Sequence, residues 1–127
     1  MARFLIVVED DTADEDEFVD RTTKSLTLLG HRVERLGSNA ATSFMMKNGA
    51  DVGLLLLRAR RDNVWALRFL SLLRRGARRT MRVVVITDSR DPQWIETMAD
   101  HKVNWVCDAK QDPRLLIERV GQIFGYA

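Results

Sequence analysis

The sequence predicts an α/β fold: a five-stranded parallel sheet, doubly wound, with helices on both faces. Three observations predict it. Short apolar runs rich in branched residues alternate with longer amphipathic stretches along the whole chain. The runs are apolar at nearly every position, which suits strands covered on both faces. The connections are short, so each strand returns beside an earlier one through a crossover helix.

Phe4-Leu5-Ile6-Val7-Val8 reads as the first strand. Thr12-x-x-Glu15 is a capping-box pattern, which starts a helix near Ala13. Phe18, Thr22, Ser25, Leu26 and Leu29 give that helix an inner face, and Gly30 is a natural stop. Residues 31–36 read as a second strand, with Val33 its clearest core residue. A turn at Gly37-Ser38-Asn39 leads to a short helix over 40–48. Val52-Gly53-Leu54-Leu55-Leu56-Leu57 reads as the central third strand. Trp65, Leu67, Phe69, Leu70, Leu72 and Leu73 line the next helix, which Gly76 ends. Val83-Val84-Val85-Ile86-Thr87 is the fourth strand. Asp91-Pro92 is an N-cap followed by Pro at the first helical position, and Trp94, Ile95 and Met98 are that helix's apolar residues. Residues 103–107 form a fifth strand. Asp112-Pro113 repeats the cap signal before a last helix lined by Leu115, Leu116, Val120 and Ile123.

Composition narrows the classes. The 127 residues are 46% apolar and 30% charged, the balance of one globular domain. No apolar run approaches the ~20 residues that span a bilayer, and the apolar start is read as too short for a secretory signal. The single cysteine, Cys107, excludes an internal disulfide and fits a reducing cytoplasm. The net charge of +2 hides a segregation. Residues 1–20 carry eight carboxylates against Arg3, whereas residues 58–82 carry nine arginines against Asp62. Nucleic-acid binding is disfavoured: the arginines fall into two groups at opposite sheet edges, with no recognition motif or stacking aromatics among them.

Ligand sites in such sheets lie beyond the C-terminal ends of the strands. The first strand ends in Glu9-Asp10-Asp11. Three adjacent acids suit a divalent cation, and equally suit the solvated start of a helix. The fourth strand ends in Thr87, whose hydroxyl suits a phosphoryl oxygen or a turn, and the fifth is followed by Lys110. Together, these residues resemble the receiver domain of bacterial response regulators, over essentially the whole chain. The resemblance implies a flavodoxin-like (βα)5 sheet of strand order 2-1-3-4-5 and a single receiver-like domain over 1–127. Asp10 and Asp11 match the acidic pair that holds Mg²⁺, Thr87 the phosphate-sensing hydroxyl, and Lys110 the lysine, although Gln111 stands where the family has Pro.

The third strand departs from that pattern. The position matching the phospho-accepting Asp is Leu56, which has no nucleophile and offers no third oxygen to Mg²⁺. The expectation is a degenerate receiver without enzymatic activity or cofactor, with Mg²⁺ bound at Asp10 and Asp11 only if the acidic pocket is still competent. In place of the metal, the Arg58 guanidinium or the Lys110 ammonium is expected to pair with Asp10 or Asp11. In receivers the face of the fourth helix, fifth strand and fifth helix is the usual partner or dimer surface. Trp94, Met98 and Trp105 are the interface candidates there, for a protein partner or a second copy and not for a membrane. Two alternatives stand beside this reading. One is a receiver-like accessory domain of a larger enzyme, since Phe124-Gly125-Tyr126 and the acidic first helix resemble the wing domain of bacterial basic-amino-acid decarboxylases. The other is a true phospho-receiver with an atypical acceptor.

Overall fold

The structure is a computed structural model, described for residues 3–8, 17–37, 40–41, 53–59, 64–75, 81–88 and 91–124. Five strands form one sheet: β1 (Arg3–Val8), β2 (Arg32–Gly37), β3 (Leu54–Ala59), β4 (Val83–Thr87) and β5 (Trp105–Asp108). All neighbours are parallel and the order is β2-β1-β3-β4-β5. The predicted fold class and strand order are both observed. The described helices are α1 (Glu17–Leu28), α2 (Val64–Arg75), α3 (Pro92–Ala99) and α4 (Pro113–Phe124). The last two are the fourth and fifth helices of the sequence pattern. Ala40 and Ala41 are helical, and the rest of the predicted second helix lies outside the described residues.

Strand side chains alternate between two buried layers. Leu5, Val7, Leu55, Leu57, Val83 and Val85 pack with Phe69, Leu70 and Leu73 of α2 and Met98 of α3. Phe4, Ile6, Leu54, Leu56, Val84 and Ile86 pack with Phe18, Val19 and Leu26 of α1 and Leu116 and Val120 of α4. Residues 54–57 and 83–86 are each 0% exposed, so the middle of the sheet is sealed on both sides.

The predicted signals at Asp91, Asp112 and Gly30 are present, whereas the Thr12–Glu15 capping box and the Gly76 stop lie outside the described residues. Asp91 accepts from the Gln93 amide at 3.1 Å, and Asp112 accepts from the Arg114 amide at 2.9 Å. Gly30 closes α1 with φ +89°. The Gly30 amide donates to Thr27 and the His31 amide to Leu26, the paired bonds that end a helix through a left-handed residue.

Two boundaries differ from the sequence reading. The third strand runs two residues later than its apolar run, over Leu54–Ala59 instead of 52–57, and so includes Arg58. The fifth strand starts at Trp105, because Asn104 is spent joining the edge: its amide donates to the Val83 carbonyl at 2.7 Å, and its Oδ1 accepts from the Val83 amide at 2.9 Å.

Candidate functional site

The C-terminal ends of β3, β4 and β5 define the described part of the site. Thr87 lies level with Ala59 on one side and Asp108 on the other. Both Thr87 and Ala59 are buried, at 2% and 0% exposure. The Thr87 carbonyl accepts from the Ala109 amide at 2.8 Å, which ties the chain leaving β5 to the end of β4. Asp108 accepts from the Lys110 amide at 2.9 Å and so shapes the turn that carries Lys110. Lys110 itself is exposed.

Leu56 does not reach this edge. Its register partners are Ile6 and Val84, three residues before Thr87, and it is fully enclosed. Leu56, matched by the resemblance to the phospho-accepting position, thus lies inside β3, which continues to Ala59. The later start of β3 puts Arg58 and Ala59 there instead, and Ala59 occupies the position facing Thr87. Neither side chain carries a carboxylate.

Arg58 is the unusual residue of the edge, a charged side chain only 7% exposed. Burying a cation is costly unless its donors are used. The guanidinium NH1 donates to the carbonyls of Ala59 at 3.2 Å and Ile86 at 3.3 Å. It also stands 3.8 Å from the Asp88 carboxylate, just past the end of β4. Asp88 is thus a carboxylate partner of Arg58. Glu9, Asp10 and Asp11 lie outside the described residues, as does any pairing of Arg58 or Lys110 with them. Farther along the acidic segment, Asp20 of α1 pairs with Arg35 of β2 at 2.6 Å.

Cys107 is buried behind the same edge. Burial, helped by the neighbouring Asp108 carboxylate, pushes its thiol up to about 11. Such a thiol stays protonated and is a poor nucleophile at neutral pH.

Octahedral Mg²⁺ coordination needs oxygen ligands converging on one point, and the acids expected to supply them, Asp10 and Asp11, lie outside the described residues. Among the described residues no three His, Cys, Asp or Glu side chains cluster as a metal site.

The interface candidates separate. Met98 is 0% exposed and packs in the core with α2, so it is not a surface residue. The face that Met98 shares with Trp94 turns towards the sheet, which buries Met98. Trp94 is partly buried against the same layer. Trp105 is partly buried against the other, and the Arg119 guanidinium lies 5.8 Å from its ring centroid. Sequence reasoning missed Ala59, Asp88 and Asp108. Ala59 carries no chemical signal, whereas Asp88 was visible as the acid next to Thr87.

The sequence matches no protein-family model and no curated protein. The fold does have solved counterparts. A response regulator receiver domain protein from Methanospirillum hungatei JF-1 superposes with a TM-score of 0.77 at 19% identity, over 97% of this chain and 93% of that one. A response regulator receiver protein from Pseudomonas putida gives 0.76 at 18%, over 95% and 96%. The Mn²⁺-bound form of response regulator Rcp1 gives 0.67 at 22%, over 94% and 90%. The fold is that of receiver domains, and among the described residues no helix is long and apolar enough to cross a membrane.

Proposed function

We propose that residues 1–127 form a single receiver-like signalling domain that works without phosphorylation, through contact with a protein partner or a second copy. The end of β3 carries this reading. Aspartyl phosphorylation is attack by a carboxylate oxygen on a phosphoryl group. The position facing Thr87 holds the methyl group of Ala59, and the residue before it holds a buried guanidinium. Arg58 then supplies permanently the positive charge that a metal ion supplies reversibly, and the site has one electrostatic state instead of two.

On this reading the domain is not an enzyme, needs no cofactor and works in the cytoplasm. The partner binds the face of α3, β5 and α4, where Trp94 and Trp105 with Arg119 are residue types that anchor interfaces. Incubation with acetyl phosphate and Mg²⁺, followed by intact mass, tests the claim. Unchanged mass supports it, and a phosphoryl adduct overturns it. Pull-down with Trp94→Ala tests the face: undiminished capture removes Trp94 from it.

A further inference from the structure

Helices α1 and α4 cover the same face of the sheet, and an open groove of about 490 Å³ lies between them. Ser25, Leu28 and Leu29 line it from the end of α1, and Arg114, Ile117 and Glu118 from α4. The two leucines are not core residues. Spacing puts Leu29 on the inner face of α1, yet it is 61% exposed, and Leu28 is 84% exposed. Phe18, Val19, Thr22 and Leu26 fill the inner face instead. Leu28 is the last helical residue and Gly30 already turns the chain at φ +89°, so both leucines stand at the helix end instead of over the sheet. Single exposed leucines are ordinary, whereas these two adjoin Ile117 and make one apolar surface.

Opposite charges border the groove. Lys24 stands one turn before Leu28 on the same face of α1. Glu118 lies across from it on α4. Both are exposed, and among the described residues neither side chain forms an ion pair or a hydrogen bond. Arg114 is already held by Asp112 of its own chain at 2.8 Å, so it is not available to a partner in the same way.

We infer that this groove is a two-fold contact between copies of this chain. In such a contact each copy offers the same patch, so a residue pair formed once is formed twice. A second copy lays its Leu28 and Leu29 into the groove against Ile117 and receives the same in return. Lys24 of each copy then meets Glu118 of the other. The chain supplies both halves of the match, an apolar centre and a charged rim. An anionic lipid surface would attract Lys24 but repel Glu118. The contact leaves the face of Trp94 and Trp105 open to the partner proposed above.

Sedimentation equilibrium of the full chain, up to about 0.5 mM, tests this, with circular dichroism confirming that each variant is folded. A monomer–dimer equilibrium is expected. Leu28→Asp, at a site too exposed to carry the fold, is expected to weaken it by about tenfold or more. Lys24→Glu and Glu118→Lys are each expected to weaken it about fivefold, because each turns both symmetry-related pairs into like charges. The double variant Lys24→Glu with Glu118→Lys is expected to return to within about twofold of the parent, since both pairs re-form inverted. Trp94→Ala is expected to leave the dimer unchanged. A chain that stays monomeric at the highest concentration overturns the inference, and so does an additive loss in the double variant. A dimer that Trp94→Ala dissolves and Leu28→Asp leaves intact assigns the pairing to the other face and also overturns it. The same holds for a monomer that binds anionic vesicles and loses them with Leu28→Asp.

Discussion

Replacing Leu56 by Asp separates strand register from sequence spacing. If Leu56 stood at the strand edge, the substitution would restore an acceptor at little cost. In the structure it sits between Ile6 and Val84, fully enclosed in the layer formed with α1 and α4. Truncating a buried leucine costs about 2–5 kcal/mol. The carboxyl that replaces it finds an apolar surround and must stay protonated, which adds about 1–3 kcal/mol. The total is about 5 kcal/mol, similar to the entire stability of many small domains, about 5–15 kcal/mol. Urea unfolding followed by circular dichroism measures it. The chain is expected to be largely unfolded or to lose most of its stability, with no phosphoryl adduct after acetyl phosphate treatment. A loss below about 1 kcal/mol, the scale of an ordinary surface change, would refute the register argument.

Three further outcomes follow from the site and its supports. Arg58→Met keeps the apolar stem and removes the buried charge, so stability is expected to stay within about 1 kcal/mol, whereas Asp88→Ala takes a carboxylate partner from the cation and should cost more, about 1–2 kcal/mol; equal losses in urea unfolding would contradict the pairing. The Cys107 thiol, raised to about 11 from an ordinary value of 9.0, favours the folded state while protonated. Stability is therefore complete below pH 9 and falls as pH rises from 9 towards 11, and Cys107→Ala should flatten that part of a pH–stability profile. Gly30→Ala should cost about 1 kcal/mol through backbone strain at φ +89°, since an added Cβ would meet nothing within 4 Å, and Gly30→Asn should cost less; thermal melts of the two variants check the order.

Much of the fold was legible because its signals are local. Caps at Asp91 and Asp112, the stop at Gly30, and unbroken apolar runs for β1 and β4 each act over a few residues. The ends of β3 were not legible, because Leu54 to Leu57 are equivalent as strand residues and the run itself gives no end. What extends the strand through Arg58 is tertiary: its pairing with Ile86 of β4, whose carbonyl also receives the guanidinium. The same limit applies to the site. Thr87 and Lys110 were placed by their position after strands, whereas Ala59 became part of the site only through its register with Thr87. Met98 shows the converse. Spacing put it on one helix face with Trp94, but eight residues of α3 lie close enough to the sheet for that face to be partly core.

The most direct measurement is phosphoryl transfer itself. The full chain, incubated with acetyl phosphate and Mg²⁺ beside a competent receiver as positive control, is predicted to keep its mass while the control gains a phosphoryl group. A stoichiometric, acid-stable but base-labile adduct on this chain, as an aspartyl phosphate gives, would contradict phosphorylation independence at its centre.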